Sequence, residues 1–597
     1  MLNYRKQLQL NWQFLKQSPF YLRDVLFAHL FLLFIVIPGL TSLTKFVLTL
    51  GNITYLPLEQ LPRFIWEHPL VTIHLLAIGL LLFLFVFFEF TFLLASMYFM
   101  LKKKWVSLFT LLHFTITQLK QLRGGVLSFF IFYFLLLLPF NTFSFRSDLL
   151  ANIQIPAFIM DYIFTNRWSL IIAFGIVYLF FLYLGFRLIF VLPELIFNQC
   201  TVKQAIHISW DLTKQQFISL FIRFSIILLT ITLITSASFF IILALQSLID
   251  QYWPHYALLA AIFSMFSLQF LLLLSLTLTT ISSFYYTLTL MNEQQRLPAK
   301  LLNFPILKPA FQFRLSFHAL VLLGLVFIGA TGFYNYHYLQ TDQKLVTQTI
   351  SHRGVSNQNG VQNTLTSLQK TSTTYHPDYI EIDVQETSDH HFIVFHDFSY
   401  KSLAGVSLKP ERSTLDTALR LTVHENGYTE KISTLDTYLK TAAQANQKLL
   451  IELKTQQTDV HGFVQRFLSR YQTQIEQQQH MIQSLNLQVS EQVKSAAPTI
   501  QTGYIIPFNL VGPPKTTTDF LATEMTTITK KFVRLAHQNQ QKVYVWTPND
   551  QTTMERMLFY GVDGIITDRM DYLNKVTTQT PTQSYADKLA FFVIGLG

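Results

Sequence analysis

Cysteine is almost absent from this chain of 597 residues: Cys200 stands alone, which excludes an intramolecular disulfide and any thiolate metal cluster. Charge is scarce as well, at 13% of residues against 51% hydrophobic. That balance is too apolar for a wholly soluble protein, and the length is too great for one ordinary domain. The scarcity is uneven. Residues 1–336 hold 21 Lys and Arg but only 10 Asp and Glu, whereas residues 337–597 hold 23 and 24. The net charge of +10 therefore belongs to the apolar half. A nucleic-acid partner would need a contiguous cationic surface. These cations lie between membrane-length apolar runs instead, so the pattern argues against nucleic acid and for topology, because Lys and Arg accumulate in loops kept in the cytoplasm.

Seven apolar stretches reach the roughly 20 residues of helix that a bilayer requires. They lie near 26–48, 70–92, 126–144, 169–192, 218–245, 257–282 and 316–335. The first lacks a small-residue cleavage site and reads as an uncleaved span. Basic residues mark the N-terminal segment and the loops 101–125, 199–217 and 291–315, while the loops between are poor in them. The N-terminus is accordingly expected in the cytoplasm, and an odd number of spans places everything after Tyr336 outside. Glu89 and Arg187 each fall about 19 residues into an outside-to-inside helix, about 28 Å down by helical rise. Charges in hydrocarbon are usually paired, so the two are expected to form an ion pair.

From about residue 346 the texture changes to short strands alternating with polar helical stretches, the mark of a parallel sheet built from βα units. Candidate strands at 347–351, 379–384, 391–396, 448–453, 480–485, 501–506, 542–547 and 564–567 number eight, as in a (β/α)8 TIM barrel, whose site forms at the C-terminal strand ends. The expected order is an α-helical polytopic membrane domain of about seven helices over 1–336, a linker at 337–345, an α/β barrel over 346–575 and a tail over 576–597. Residues 398–434 exceed what a plain crossover needs and read as a small insertion beside the site. The linker, about ten residues and so at most about 35 Å long, would keep the barrel close to the bilayer.

Several apolar runs close on reactive residues: His352-Arg353-Gly354, Glu381-Ile-Asp383, His396-Asp397 and Glu452-Leu-Lys454. Residues two apart along a strand share a side, so these groups can converge at a barrel mouth. Glu381, Asp383 and Glu452 suit a hard divalent cation, Ca²⁺ or Mg²⁺, which takes oxygen ligands; with no cysteine in place, zinc suits the set less well. Phosphodiester hydrolysis needs charge stabilisation at the non-bridging oxygens, a base for the nucleophile and an acid for the leaving alkoxide. Arg353 and Lys454 would hold the phosphate, and His352 and His396 would share the acid and base roles.

On these motifs, together with Gln483-Ser484, Val545-Trp546-Thr547 and Gly561-Val-Asp563-Gly564-Ile-Ile-Thr567-Asp568, residues 346–575 resemble a glycerophosphodiester phosphodiesterase domain. The apolar half resembles the membrane module that precedes this domain in some bacterial members. The resemblance implies hydrolysis of glycerophosphodiesters to sn-glycerol 3-phosphate and an alcohol, with His352 and His396 as acid and base, Glu381, Asp383 and Glu452 on the metal, and Trp546 lining the substrate pocket. Membrane lipid is the implied surrounding and lipid-derived diesters the implied substrates. The chain departs from the family at Val361-Gln362-Asn363-Thr364, where Pro-Glu-Asn-Thr is usual, so metal affinity or the orientation of Arg353 is expected to differ. Two other readings fit the same residues: a phospholipase-like enzyme acting on lysolipids or glycerophosphate wall polymer, and a non-catalytic protein that binds or transports glycerophosphodiesters.

Overall fold

The computed structural model describes residues 21, 23–51, 53, 61–104, 106–119, 124–137, 163, 168–214, 217–299, 304–305, 317–340, 347–455, 459–508, 512–578 and 583–595. Its contacts divide the chain into two units, with the last boundary between Leu339 and Gln340.

Five helices among the described residues are long and apolar enough to cross a membrane: Arg23–Leu50, Pro69–Leu101, Trp168–Asn198, Phe217–Tyr252 and Pro254–Glu293. At about 1.5 Å rise per residue each exceeds the roughly 30 Å of a hydrocarbon core. They coincide with the first, second, fourth, fifth and sixth expected spans. Helix Phe317–Leu339 coincides with the seventh. Of the third, helix Gly124–Leu137 is described, and its expected remainder lies outside the described residues, as do the N-terminal segment to residue 20 and most of the linker. Pro69 and Pro254 open their helices, where a missing N–H costs nothing. Leu229, Leu233, Phe240 and Ile241 on one helix face outward, each more than half exposed, a surface suited to lipid rather than water. This is a membrane protein.

The ion pair expected between Glu89 and Arg187 is not among those of the described residues. Arg187 lies instead with its guanidinium 4.2 Å from the centroid of the Trp210 ring. Trp210 belongs to the short amphipathic helix Val202–Lys214, which is tied down by Ser209 Oγ donating to the Arg187 carbonyl at 2.7 Å. An aromatic face answers a guanidinium in apolar surroundings. Two buried carboxylates among the described residues of this unit do meet an arginine: Glu194 pairs with Arg296 at 2.5 Å and Asp24 with Arg23 at 2.7 Å.

In the second unit, eight parallel strands close into a ring: β1 (Gln348–Ser351), β2 (Tyr379–Glu386), β7 (Leu449–Lys454), β8 (Met481–Ser484), β9 (Thr502–Ile506), β10 (Phe520–Glu524), β11 (Lys542–Trp546) and β12 (Gly564–Thr567). β1 pairs in parallel with both β12 and β2. Most of these strands are buried along their whole length, as the strands of a parallel sheet covered on both faces are. The helices between them start on side-chain caps, among them Thr364, Thr434, Thr529 and Asp550, each accepting an otherwise unpaired N–H.

The expected number of strands is right, yet one member differs. The run at 391–396 forms β3 (Phe392–Val394), which turns back antiparallel on β2 rather than entering the ring. Its connection to β2 is too short for a helical crossover, which parallel pairing demands. The eighth ring strand is β10, unforeseen in the sequence. Beyond β3 the chain forms the hairpin β4 (Thr422–Glu425) and β5 (Tyr428–Lys431), then β6 (Ser433–Thr434), which pairs with β3. Tyr400, Ala418, Val423 and Ile432 in this region pack on Val361 and Phe395 as a small core of their own. Near the C-terminus, helix Tyr585–Ile594 buries Leu589 and Phe591, with Phe591 5.7 Å from Phe559, so the apolar tail covers the barrel's own helix.

Candidate active site

β1 ends in a tight turn whose geometry explains the His-Arg-Gly sequence. Arg353 has φ 52° and Gly354 φ 69°, the left-handed region that favours glycine. A Cβ at Gly354 would also lie 3.1 Å from the Tyr438 hydroxyl. The turn aims the Arg353 N–H at Glu381 Oε2, 2.8 Å away. Its side chain reaches Asp383, at 3.6 Å from Nε, and donates from Nη1 to Gln362 Oε1 at 2.6 Å.

Glu381 and Asp383 stand two apart on β2, and the parallel register sets Asp383 beside Glu452 on β7. All three are buried, and each offers an oxygen within 4.8 Å of the others. Asp383 Oδ1 and Glu452 Oε1 make no hydrogen bond; Lys454 Nζ faces them at 3.2 and 3.3 Å. Burial and the charges of Asp383 and Glu452 push the Glu381 carboxyl well above its ordinary range. Burial also raises Glu452, against the pull of Lys454. For Asp383 burial is outweighed by Lys454, His396 and Arg353, and its carboxyl is held low. Three buried carboxylates crowded in this way, each offering an oxygen, fit a hard cation.

The two imidazoles reach the mouth by different routes. His352 follows β1 directly, and its Nδ1 meets Asp568 Oδ1 at 2.8 Å. Asn549 Nδ2 in turn donates to Asp568 Oδ2 at 2.9 Å. His396 sits just past β3, outside the ring, where Gln385 Nε2 donates to the carbonyls of Phe395, His396 and Asp397 at 2.7, 3.1 and 2.9 Å. Asp397 Oδ1 meets His396 Nδ1 at 2.6 Å, and Ser402 Oγ donates to the other carboxylate oxygen. Burial, with Arg353 and Lys454 nearby, pushes the His396 imidazole down to about 4 against the pull of Asp383. Burial works to raise Asp397, yet its bonds from His396 and Ser402 hold it down to about 2. In both histidines a carboxylate faces Nδ1 as hydrogen-bond acceptor, the arrangement that places the proton on Nδ1 and leaves Nε2 open.

Trp546 ends β11 and packs against the barrel interior, its Nε1 donating to the Ala522 carbonyl at 3.1 Å. The structure thus gathers Arg353, Glu381, Asp383, Glu452 and Lys454 into one cluster, with His396 in electrostatic reach of it, and sets Trp546 at a strand end. Sequence reasoning missed the partners: Asp397 and Asp568 stand in motifs already singled out but were given no role, and Gln385 carried no signal. Replacing Asp568 by Asn keeps the shape but removes the charge that fixes the His352 tautomer, so kcat should fall about 10²- to 10⁴-fold with little change in KM; steady-state kinetics checks it.

At the C-terminal mouth of a parallel barrel, this combination of cations, carboxylates and oriented imidazoles defines a phosphoric diester hydrolase. Family comparison agrees on both units. The membrane domain of glycerophosphoryl diester phosphodiesterase matches residues 9–328, and the glycerophosphoryl diester phosphodiesterase family matches residues 352–572. The chain belongs to that family and is a glycerophosphodiester phosphodiesterase carrying the family's membrane domain. It is 28% identical over 230 residues to a glycerophosphodiester phosphodiesterase of Caldanaerobacter subterraneus, a match covering 37% of this chain and 94% of that one. Among solved structures, a glycerophosphodiester phosphodiesterase from Parabacteroides distasonis is 24% identical, with a TM-score of 0.35, over 40% of this chain and 98% of its own. An Oleispira antarctica phosphodiesterase, solved with the product sn-glycerol-3-phosphate, is 20% identical, with a TM-score of 0.34, over 39% and 96%.

Proposed function

We propose that the chain hydrolyses glycerophosphodiesters to sn-glycerol 3-phosphate and an alcohol by acid–base catalysis between His352 and His396, with a divalent cation, Ca²⁺ or Mg²⁺, at Glu381, Asp383 and Glu452. The observation that carries this reading is that both histidines have Nδ1 engaged by a carboxylate. A bound cation would supply charge to the phosphate's non-bridging oxygens. Arg353 and Lys454 add fixed positive charge beside the same oxygens. One imidazole takes a proton from the nucleophile through Nε2, and the other delivers one to the departing alkoxide. Trp546 offers an aromatic face to the glycerol or its substituent.

The full-length protein supplied with glycerophosphocholine should release sn-glycerol 3-phosphate and choline. Release of phosphocholine and glycerol would refute the bond assignment, and a faster rate on lysophosphatidylcholine would favour a phospholipase-like enzyme. The basic loops support a cytoplasmic N-terminus and a catalytic domain outside the plasma membrane. In a Cys200→Ser background, a cysteine replacing the exposed Gln538 should react in intact cells with a membrane-impermeant thiol reagent. Labelling only after lysis would reverse the orientation.

A further inference from the structure

The hairpin β4–β5 lies outside the barrel ring, yet its tip touches the loop that carries Gln362. Its turn is Asn426-Gly427, with φ 52° and 80°, the left-handed pair a two-residue hairpin turn requires. A turn this tight fixes the residues at the tip. Asn426 Nδ2 donates to the Gly360 carbonyl at 3.0 Å. Glu425 accepts twice from Gln362, from its backbone N–H and from Nε2, each at 2.8 Å. Beside them, Lys370 Nζ lies 4.3 Å from the centroid of the Tyr428 ring and donates to the Asn359 carbonyl at 3.2 Å. The hairpin and the loop are therefore joined at several points.

The double bond from Gln362 to Glu425 has a consequence at Arg353. A side-chain amide has one donating end and one accepting end, and a carboxylate can only accept. Glu425 therefore holds the Nε2 end of Gln362, which turns Oε1 toward the guanidinium, where it accepts from Arg353 Nη1 at 2.6 Å. Rotating the amide by half a turn would set donor against donor at Arg353 and acceptor against acceptor at Glu425. With Asp383 on Nε and Gln362 on Nη1, the guanidinium is held from two sides.

We propose that Glu425 is a positioning residue for the phosphodiesterase reaction: through Gln362 it fixes the guanidinium of Arg353, so the inserted hairpin is a working part of the site. This rests on the reading that Arg353 receives the substrate phosphate. The carboxylate acts at a distance of one side chain and touches no substrate itself.

The test is an exchange of the two side chains in the full-length protein. Glu425→Gln leaves an amide facing an amide and frees the orientation of Gln362. Gln362→Glu sets two carboxylates against each other. Each single variant should lower kcat/KM for glycerophosphocholine roughly 10- to 100-fold, the scale of one hydrogen bond to a charged group. The loss should appear in KM and in the inhibition constant of sn-glycerol 3-phosphate together, because the phosphate contact is what loosens. The double variant Q362E/E425Q puts a carboxylate directly on Arg353 with an amide behind it, and should recover to within about threefold of the parent, since residues in one network couple rather than add. Glu430→Gln, on the same hairpin, should leave the rate unchanged. Losses that multiply in the double variant, or single variants with the parent's kcat/KM, would overturn the role of Glu425. A parent chain that turns over no glycerophosphodiester would instead overturn the reading on which it rests.

Discussion

Alanine in place of His352 or His396 should each reduce kcat on glycerophosphocholine by about 10³-fold, within the range that general acid or base catalysis contributes. Neither change removes a residue that holds the cation cluster, so binding of sn-glycerol 3-phosphate should persist. The two variants separate on a diester with a p-nitrophenyl leaving group. A good leaving group needs no proton, so the variant that lost the acid regains most of its rate while the variant that lost the base does not. Equal recovery of both, or full activity of either on the choline diester, would remove acid–base catalysis by this pair. The expectation follows from the carboxylates behind each ring: Asp568 and Asp397 are placed to fix the tautomer and would support an imidazolium formed during turnover.

Chelation should abolish turnover, and added Ca²⁺ or Mg²⁺ should restore it. The argument is electrostatic. Three buried carboxylates each bring an oxygen within 4.8 Å of the others, and burial with mutual repulsion drives Glu381 toward its protonated form, while Lys454 faces Asp383 and Glu452. A divalent ion held by Glu381, Asp383 and Glu452 would replace that repulsion by attraction and let all three ionise. Asp383→Asn removes a charge from the centre of the cluster and should weaken cation binding in a calorimetric titration about 10- to 100-fold, with activity lost in step. Activity that ignores both chelator and Asp383→Asn would refute a cation at these residues.

Much of this site was legible because strand geometry makes spacing informative. Glu381 and Asp383, or Glu452 and Lys454, stand two apart and so face one way. The ring itself was read correctly in number and wrongly in one member. Phe-Ile-Val at 392–394 is the more apolar segment and took the place of Phe520-Leu-Ala-Thr-Glu524, whose polar end Thr523-Glu524 resembles a loop although all of the strand is buried. Partners set by tertiary proximity left no periodic trace. Asp568 lies 216 positions from His352 and Glu425 63 positions from Gln362, separations that only the closed ring and the folded insertion bring together. Arg187 shows the same limit in the membrane unit: its position along the chain suggested Glu89 as a partner, whereas its guanidinium lies over Trp210, 23 positions on. The departure at Gln362, which in sequence looks like a lost carboxylate, becomes in three dimensions a relay to one supplied from the inserted hairpin.

The most direct test is hydrolysis of glycerophosphocholine by the full-length protein in ¹⁸O-labelled water, with the products weighed by mass spectrometry. Cleavage of the phosphorus–oxygen bond to the alcohol places the label in sn-glycerol 3-phosphate and leaves choline unlabelled. Label in choline, or label in phosphocholine with glycerol released, would contradict the account.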